Sequence, residues 1–199
     1  KGRVYYERMC YGQTQEYISV YVHGNYGIMV DGKSVFGPYW NEDLHLVDRL
    51  DKHKGKVHVG LDCSGRNPAA VFCQRTAEGV VLVHDELVCE DTSSEEFADL
   101  LWLYIRDNYK DHSLDFFGDP AGGFKTPNDN RTYFDILRAR AGFVVMPANE
   151  GLRFAPRRDA VISALSRMVR GTPGFQLNRH CKHLRKGFNG GYFYKRHST

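Results

Sequence analysis

The apolar runs between residues 57 and 88 predict three consecutive strands. They cover 57–63, 69–75 and 80–88, and residues typical of turns separate them. The last two runs are joined by the short turn Ala77-Glu78-Gly79. We therefore expect the three strands to form an antiparallel meander.

Further along the chain, helical and strand patterns alternate. A capping pattern at 92–95 opens a helix that extends through Tyr109, and apolar spacing predicts helices over 132–141 and 156–169. Strands are predicted over 114–117 and 143–146. The expected fold class is α/β, with three antiparallel strands, then parallel strands, in a mixed sheet flanked by helices. The last helix is expected to place Val161, Leu165 and Met168 on its inner face.

The segment before this region has a different pattern. Three short β-type runs, YISVYV, YGIMV and SVFGPYW, are separated by Gly, Asn and Asp and indicate β-hairpins. Residues 27–34, GIMVDGKS, match a phosphate-binding loop in letters, but Gly37-Pro38 prevents the helix that such a loop must open. We expect no nucleotide site there. A charged stretch then marks a boundary near residue 55, so the predicted regions are 1–54 and 55–199.

The composition is that of an ordinary globular chain. Of its 199 residues, 42% are hydrophobic and 26% are charged, which excludes a disordered or collagen-like protein. No apolar run approaches the roughly 20 residues of a membrane-spanning helix, and the N-terminus lacks a secretory signal. We expect a soluble cytoplasmic protein with no membrane partner. Its five cysteines are dispersed, contain no CxxC pair and are expected to be reduced core residues.

The charge is distributed unevenly along the chain. Residues 151–199 contain eleven Lys and Arg but a single acid, whereas the rest of the chain has a net charge of −7. Aromatic residues are interspersed among these bases, which is typical of a surface that binds nucleic acid. Nine cations are the predicted contacts to DNA phosphates: Arg153, Arg157, Arg158, Arg179, Lys182, Arg185, Lys186, Lys195 and Arg196.

Two acids stand at the carboxyl ends of predicted strands. Asp62 ends the first strand and Asp119 follows the fourth. In α/β sheets ligands bind beyond these ends, so the two carboxylates converge if their strands are neighbours, about 4.8 Å apart. Together they could bind a hard divalent cation through oxygen ligands. Taken singly, each acid is also typical of a turn.

Two other polar groups are assigned no chemistry. His84, Asp85 and Glu86 lie within a strand, where an acid more often faces outward. His180, Cys181 and His183 lack a fourth ligand at zinc-site spacing, which favours a structural or DNA-facing role.

Several motifs in order resemble the nuclease domain of a tailed-bacteriophage large terminase subunit. They are Gly60-Leu61-Asp62, Pro68–Phe72, Gly118–Gly122, RRDAV at 157–161 and Gly187–Tyr192. The resemblance extends over residues 55–195, and the preceding segment resembles the link from that family's ATPase region. It implies an RNase H-like fold and an endonuclease that cuts concatemeric double-stranded viral DNA by two-metal phosphodiester hydrolysis.

The resemblance also implies a ligand set. Three acids of this family hold two Mg²⁺ or Mn²⁺ ions; Asp62 and Asp119 match two of them by motif. Asp159 is the expected third ligand, and Asp129 is the reserve candidate. Asp62 is expected to bridge both ions. Asp159 could instead be a helix-start acid stabilised by the helix dipole.

Partners and location follow from the same resemblance. They are double-stranded DNA, the protein's own ATPase domain, the small terminase subunit and the portal, in the cytoplasm of the infected host cell. The Gly-rich tail 187–194 suggests a hairpin that gates the access of DNA. Two alternatives stay open: another RNase H-like nuclease of the junction-resolvase or integrase type, and a non-catalytic DNA-binding module.

Overall fold

The computed structural model describes residues 33–63, 66–125, 130–148 and 153–194. The chain forms two compact units, one running from Asp43 to Cys181 and the other joining the segment up to Glu42 with the segment from Lys182. The predicted strands before residue 33, and most of the GIMVDGKS match, lie outside the described residues.

The first unit is built on a seven-stranded mixed sheet with the order β1-β9-β4-β3-β2-β5-β6. Strands β2, β3 and β4 form the antiparallel meander, and the other neighbouring strands pair in parallel. This confirms the predicted fold class. The strands of this sheet are β1 Leu46–Val47, β2 Lys56–Asp62, β3 Ala69–Arg75, β4 Val81–Val88, β5 Ser113–Gly118, β6 Val145–Pro147 and β9 Phe175–Asn178, while β7 Met168–Val169 and β8 Thr172–Pro173 form a separate hairpin.

Five helices lie among the described residues: α1 Glu42–His45, α2 Ser94–Asn108, α3 Tyr133–Ala141, α4 Phe154–Ser166 and α5 Lys182–Lys186. Both α2 and α3 begin with a capping box. The side chains of Ser93 and Thr132 each accept the backbone N–H of the acid three residues later, and the side chain of that acid accepts the backbone N–H of Ser93 or Thr132. No helix in the described parts is long and apolar enough to cross a membrane.

One face of the sheet carries the hydrophobic core. Val57 and Val59 of β2 and Phe72 of β3 are fully buried against Phe97 and Leu101 of α2. Alternation along β2 therefore directs the side chains of His58 and Asp62, with Gly60 between them, to the opposite face. The acid that ends β2 belongs to that second face.

The predicted boundary near residue 55 stays a prediction, although β1 already belongs to the sheet. Leu46 pairs with Leu177 of β9, and Leu46 is buried. His45, also buried, has Nε2 3.0 Å from the carbonyl oxygen of Leu165, which links this short segment to α4. Residues 45–47 thus belong to the folded unit that contains the sheet.

Two secondary-structure predictions are wrong. Helix α4 ends at Ser166, and Met168, expected on its inner face, is 58% exposed in β7. Apolar spacing continues past Ser166, but Arg170 and Gly171 have positive φ and close a β-hairpin there. The run SVFGPYW forms a single bridge at Ser34 followed by a turn, since Gly37 and Pro38 interrupt the strand.

The second unit has its own aromatic packing. Trp40 stacks on Phe188 with ring centroids 4.8 Å apart, and its Nε1 donates to Asn189 Oδ1 at 2.8 Å. Arg185 binds Glu42 through Nε and Nη2 at 2.6 and 2.7 Å. The Gly-rich tail does not form the suggested hairpin: residues 187–191 continue α5 as a π-type turn.

Candidate metal centre

The sheet brings two of the predicted acids to the same edge. Strands β2 and β5 pair in parallel, and Leu61 lies opposite Gly118. Asp62 and Asp119 are the next residues on the two strands, so they follow at matched positions. Neighbouring strands are about 4.8 Å apart, which is close enough for two carboxylates to share a cation.

The loop after β5 fixes the Asp119 carboxylate. Its Oδ1 accepts the backbone N–H of Ala121 at 2.9 Å, which caps the 3₁₀ turn Pro120–Gly123. Its Oδ2 accepts a hydrogen bond from Arg157 Nη1 at 2.8 Å. The Asp119 carboxylate is thus oriented by the backbone on one side and by a cation of α4 on the other.

Glycine makes this loop compatible with the packing beneath it. A Cβ on Gly118 would lie 2.8 Å from Phe134 Cε1, and one on Gly122 would lie 2.6 Å from the same atom. The ring of Phe134 occupies the space that a side chain at either position would need. The Gly118-Asp119-Pro120-Ala121-Gly122 motif therefore has a steric reason as well as a chemical one.

The pKa of the Cys63 thiol is affected by the charges of both acids. The thiol is buried, and its pKa is raised to about 12, first by burial and then by the negative charges of Asp62 and Asp119. Both carboxylates therefore act on one thiol at the end of β2.

The donor set fits a divalent cation in part. Two carboxylates on adjacent strand ends are hard oxygen ligands. In the described ranges, however, no group of three or more His, Cys, Asp or Glu side chains is close enough to hold a metal ion. The pair alone could supply only part of a coordination shell.

The structure does not bring Asp159 to the pair. Asp159 lies on α4, is 59% exposed, and binds Arg158 Nη2 at 2.7 Å. It is two positions beyond Arg157, about 200° around the helix, so it faces away from the side that contacts Asp119. Its role as third ligand stays a prediction, and Asp129 lies outside the described residues.

The nine cations predicted to contact DNA differ in their surroundings. Four of them bind acids of the same chain: Arg157 with Asp119, Arg158 with Asp159, Arg179 with Asp48, and Arg185 with Glu42. Arg153, Lys182 and Lys186 are exposed, while Lys195 and Arg196 lie outside the described residues. Through its bond to Asp119, Arg157 is placed directly beside the acid pair.

A buried polar cluster in β4 corrects another expectation. Asp85, predicted to face outward, is 8% exposed, and the neighbouring His84 is 1% exposed. Tyr109 donates to Asp85 Oδ2, His180 Nε2 lies 2.6 Å from Oδ1, and Lys52 Nζ is 3.4 Å from Oδ2. Lys52, His84, Asp85 and His180 border a cavity of about 400 Å³. His180 thus contacts Asp85 within the fold, and Cys181 is a buried free thiol.

The mixed sheet with a three-stranded meander and helical flanks belongs to the RNase H-like class. Among solved structures, the fold matches the large terminase of a thermophilic bacteriophage in complex with ATP-γ-S: TM-score 0.63, 18% identity, 98% of this chain and 46% of that chain. In complex with ADP the same terminase gives TM-score 0.61, 17% identity and coverage of 94% and 44%. The nuclease domain of g2p, the large terminase of bacteriophage SPP1, was solved with bound Mn. It matches with a TM-score of 0.50 and 16% identity, over 78% of this chain and 82% of that chain.

These likenesses define the fold as that of large-terminase nuclease domains. The chain spans a little less than half the length of the thermophilic-phage terminase in either complex. No family model matches the chain, and no curated protein matches its sequence.

Proposed function

We propose that this chain is a divalent-metal-dependent DNA endonuclease, the nuclease part of a bacteriophage DNA-packaging terminase. The observation that carries the proposal is the pair Asp62 and Asp119 at adjacent parallel strand ends. Its fold is shared with a terminase nuclease domain that was solved with bound Mn.

In this proposal Asp62 and Asp119 hold Mg²⁺ or Mn²⁺. Asp159 is the proposed third ligand of a two-ion site, which requires its exposed carboxylate to turn from Arg158 toward the pair. Such ions, when bound, activate a water molecule and neutralise charge on the phosphate. The chain itself orients Asp119 through the Ala121 N–H and places Arg157 beside it. Arg157 is positioned to exchange its carboxylate partner for a DNA phosphate, which it can bind through two N–H groups.

The proposed substrate is concatemeric double-stranded DNA. The proposed partners are an ATPase domain of the same protein, the small terminase subunit and the portal, in the cytoplasm of the infected host. The likeness to a large terminase that was solved with ATP-γ-S and with ADP supports the link to an ATPase region.

Plasmid nicking tests the proposal. We expect the chain to convert supercoiled plasmid to nicked and linear forms in Mn²⁺ and to lose this activity in chelator. Asp62→Asn should reduce the rate at least about 100-fold, because it removes one of the proposed carboxylate ligands. Asp111→Asn is the matched control, since Asp111 is exposed in the turn after α2, and it should cleave like the parent.

Three results would overturn the proposed function or change the type of enzyme proposed. Unchanged cleavage by folded Asp62→Asn contradicts the acid pair as the metal site, and binding of DNA without cleavage in any divalent ion indicates a non-catalytic module. Preference for a four-way junction over linear duplex would indicate a resolvase-type enzyme instead of a packaging nuclease.

A further inference from the structure

A row of three residues crosses the sheet beside the acid pair. Gly60 of β2 pairs with Phe117 of β5, and Phe117 pairs with Met146 of β6. Phe116 and Val145, their chain neighbours, pack toward the core, so Phe117 and Met146 face the other side of the sheet. Gly60 has the same parity as Asp62. The row and the acid pair therefore share one face.

The row is open to solvent and apolar. Phe117 is 36% exposed and Met146 is 41% exposed. A Cβ on Gly60 would meet no atom within 4 Å, so the floor between β3 and β5 is empty above that glycine. The ring of His58 lies 5.8 Å from the ring of Phe117 and supports it from the next row.

The spacing between the row and the acids matches one nucleotide. Gly60 and Phe117 precede Asp62 and Asp119 by two residues, which is roughly 6.6 Å along the strands. Successive phosphates of an extended DNA strand are separated by a similar distance. A strand whose phosphate lies at the acid pair would therefore place the adjoining sugar and base over Phe117.

We propose that Gly60, Phe117 and Met146 form a platform for an unpaired base of the nucleotide next to the scissile phosphate. An exposed aromatic ring beside a glycine floor stacks on a base face, and Met adds a polarisable contact at the ring edge. A base within a duplex has both faces covered by its neighbours, so it must leave the stack to reach Phe117. The platform therefore selects a locally opened strand. This inference rests on the proposed function, because the acid pair defines the phosphate position.

The test uses oligonucleotide duplexes with 2-aminopurine next to the cleavage position, either paired or in a two-base mismatch. Binding is measured in Ca²⁺, with intact strands verified by gel. We expect the mismatched duplex to show quenched 2-aminopurine fluorescence on binding. Phe117→Ala should abolish the quenching and weaken binding to the mismatched duplex about tenfold. Affinity for the paired duplex should change less, since its base stays stacked.

Trp102→Ala is the matched control, because Trp102 is also an exposed aromatic residue but lies on α2. It should leave both quenching and affinity unchanged. In cleavage assays Phe117→Ala should raise KM about tenfold on the mismatched substrate with kcat near the parent value. Gly60→Val, which fills the floor, should have the same effect on quenching.

The outcomes separate this inference from the proposed function. If Asp62→Asn abolishes cleavage but Phe117→Ala and Trp102→Ala behave alike in quenching and affinity, the platform is wrong and the nuclease stands. If Asp62→Asn cleaves normally, the proposed function fails first. Equal quenching of paired and mismatched bases by the parent would overturn the selection of an opened strand.

Discussion

Asp85 is a buried carboxylate whose partners all come from this chain. Burial by itself raises the pKa of its carboxyl, but the hydrogen bond from Tyr109, the charge of Lys52 and the contact with His180 outweigh burial. The pKa of Asp85 therefore lies below its ordinary value of 3.8. A carboxyl with a lowered pKa in the folded state stabilises the fold above the unfolded pKa and loses this contribution as the pH falls through the folded pKa.

This predicts a pH-dependent effect of Asp85→Asn. At pH 7 the variant should lose about 1 to 3 kcal/mol of unfolding free energy, since a buried charged hydrogen-bond acceptor is removed. The difference from the parent should shrink progressively below about pH 4. Urea unfolding at several pH values between 7 and 3 measures it.

Asp115→Asn is the control for this comparison. Asp115 pairs with Lys56 at 2.9 Å on the surface, where such a pair contributes less than about 1 kcal/mol. If the unfolding free energies of Asp85→Asn and the parent differ by the same amount across the whole pH range, the pKa of Asp85 is not lowered by folding.

At the scale of elements, the loop after β5 depends on a close approach between glycine and an aromatic ring. A methyl group at Gly122 would lie 2.6 Å from Phe134 and 3.3 Å from Cys63 Cβ. A methyl group at Gly123 would lie 3.6 Å from the same ring, which is an ordinary contact. The two adjacent glycines therefore differ in what they tolerate.

Gly122→Ala should destabilise the chain by about 1 to 3 kcal/mol, because Phe134 must move to accept the methyl group. The displaced loop carries Asp119, so Mn²⁺ affinity should fall as well. Gly123→Ala should stay within about 0.5 kcal/mol of the parent. Urea unfolding and Mn²⁺ titration by electron paramagnetic resonance measure the two effects.

The double variant Gly122→Ala/Phe134→Leu separates the steric cause from any other. It should recover part of the Mn²⁺ affinity, since the smaller side chain leaves room for the methyl group. If Gly122→Ala and Gly123→Ala have the same unfolding free energy and the same Mn²⁺ affinity, the ring of Phe134 does not constrain the loop.

At the scale of the whole molecule, the cationic C-terminal region is partly neutralised from within. Four of its nine predicted DNA contacts bind carboxylates of the same chain. Charge counted along the sequence therefore overstates the charge that DNA meets.

Salt dependence of DNA binding measures this difference. Nine independent phosphate contacts would give a slope of log K against log salt of about −8. Six contacts, made by the five other cations and by Arg157 after it exchanges Asp119 for phosphate, would give about −5.4. We expect the smaller slope in fluorescence anisotropy with a duplex of about 20 base pairs over roughly 50 to 200 mM salt. A slope near the larger value would show that the internal ion pairs yield to phosphate.

Local sequence accounts for much of what is seen along the chain. Alternation and turns located β2, β3, β4 and β5 closely, and capping residues located the start of α2. The same local signals placed Asp62 and Asp119 at strand ends. They failed at Met168, because apolar spacing continues beyond Ser166, where Arg170 and Gly171 turn the chain back.

The sequence by itself determined the class of fold and the position of Asp62 and Asp119 at strand ends, since periodicity, turns and caps act over a few residues. Only the tertiary structure decided that β2 and β5 are neighbours, that Arg157 contacts Asp119 across 38 positions, and that His180 covers Asp85 across 95. It also showed that Phe117 and Met146 lie beside the acids on one face. Such contacts depend on strand order and on long-range pairing, which no local pattern encodes.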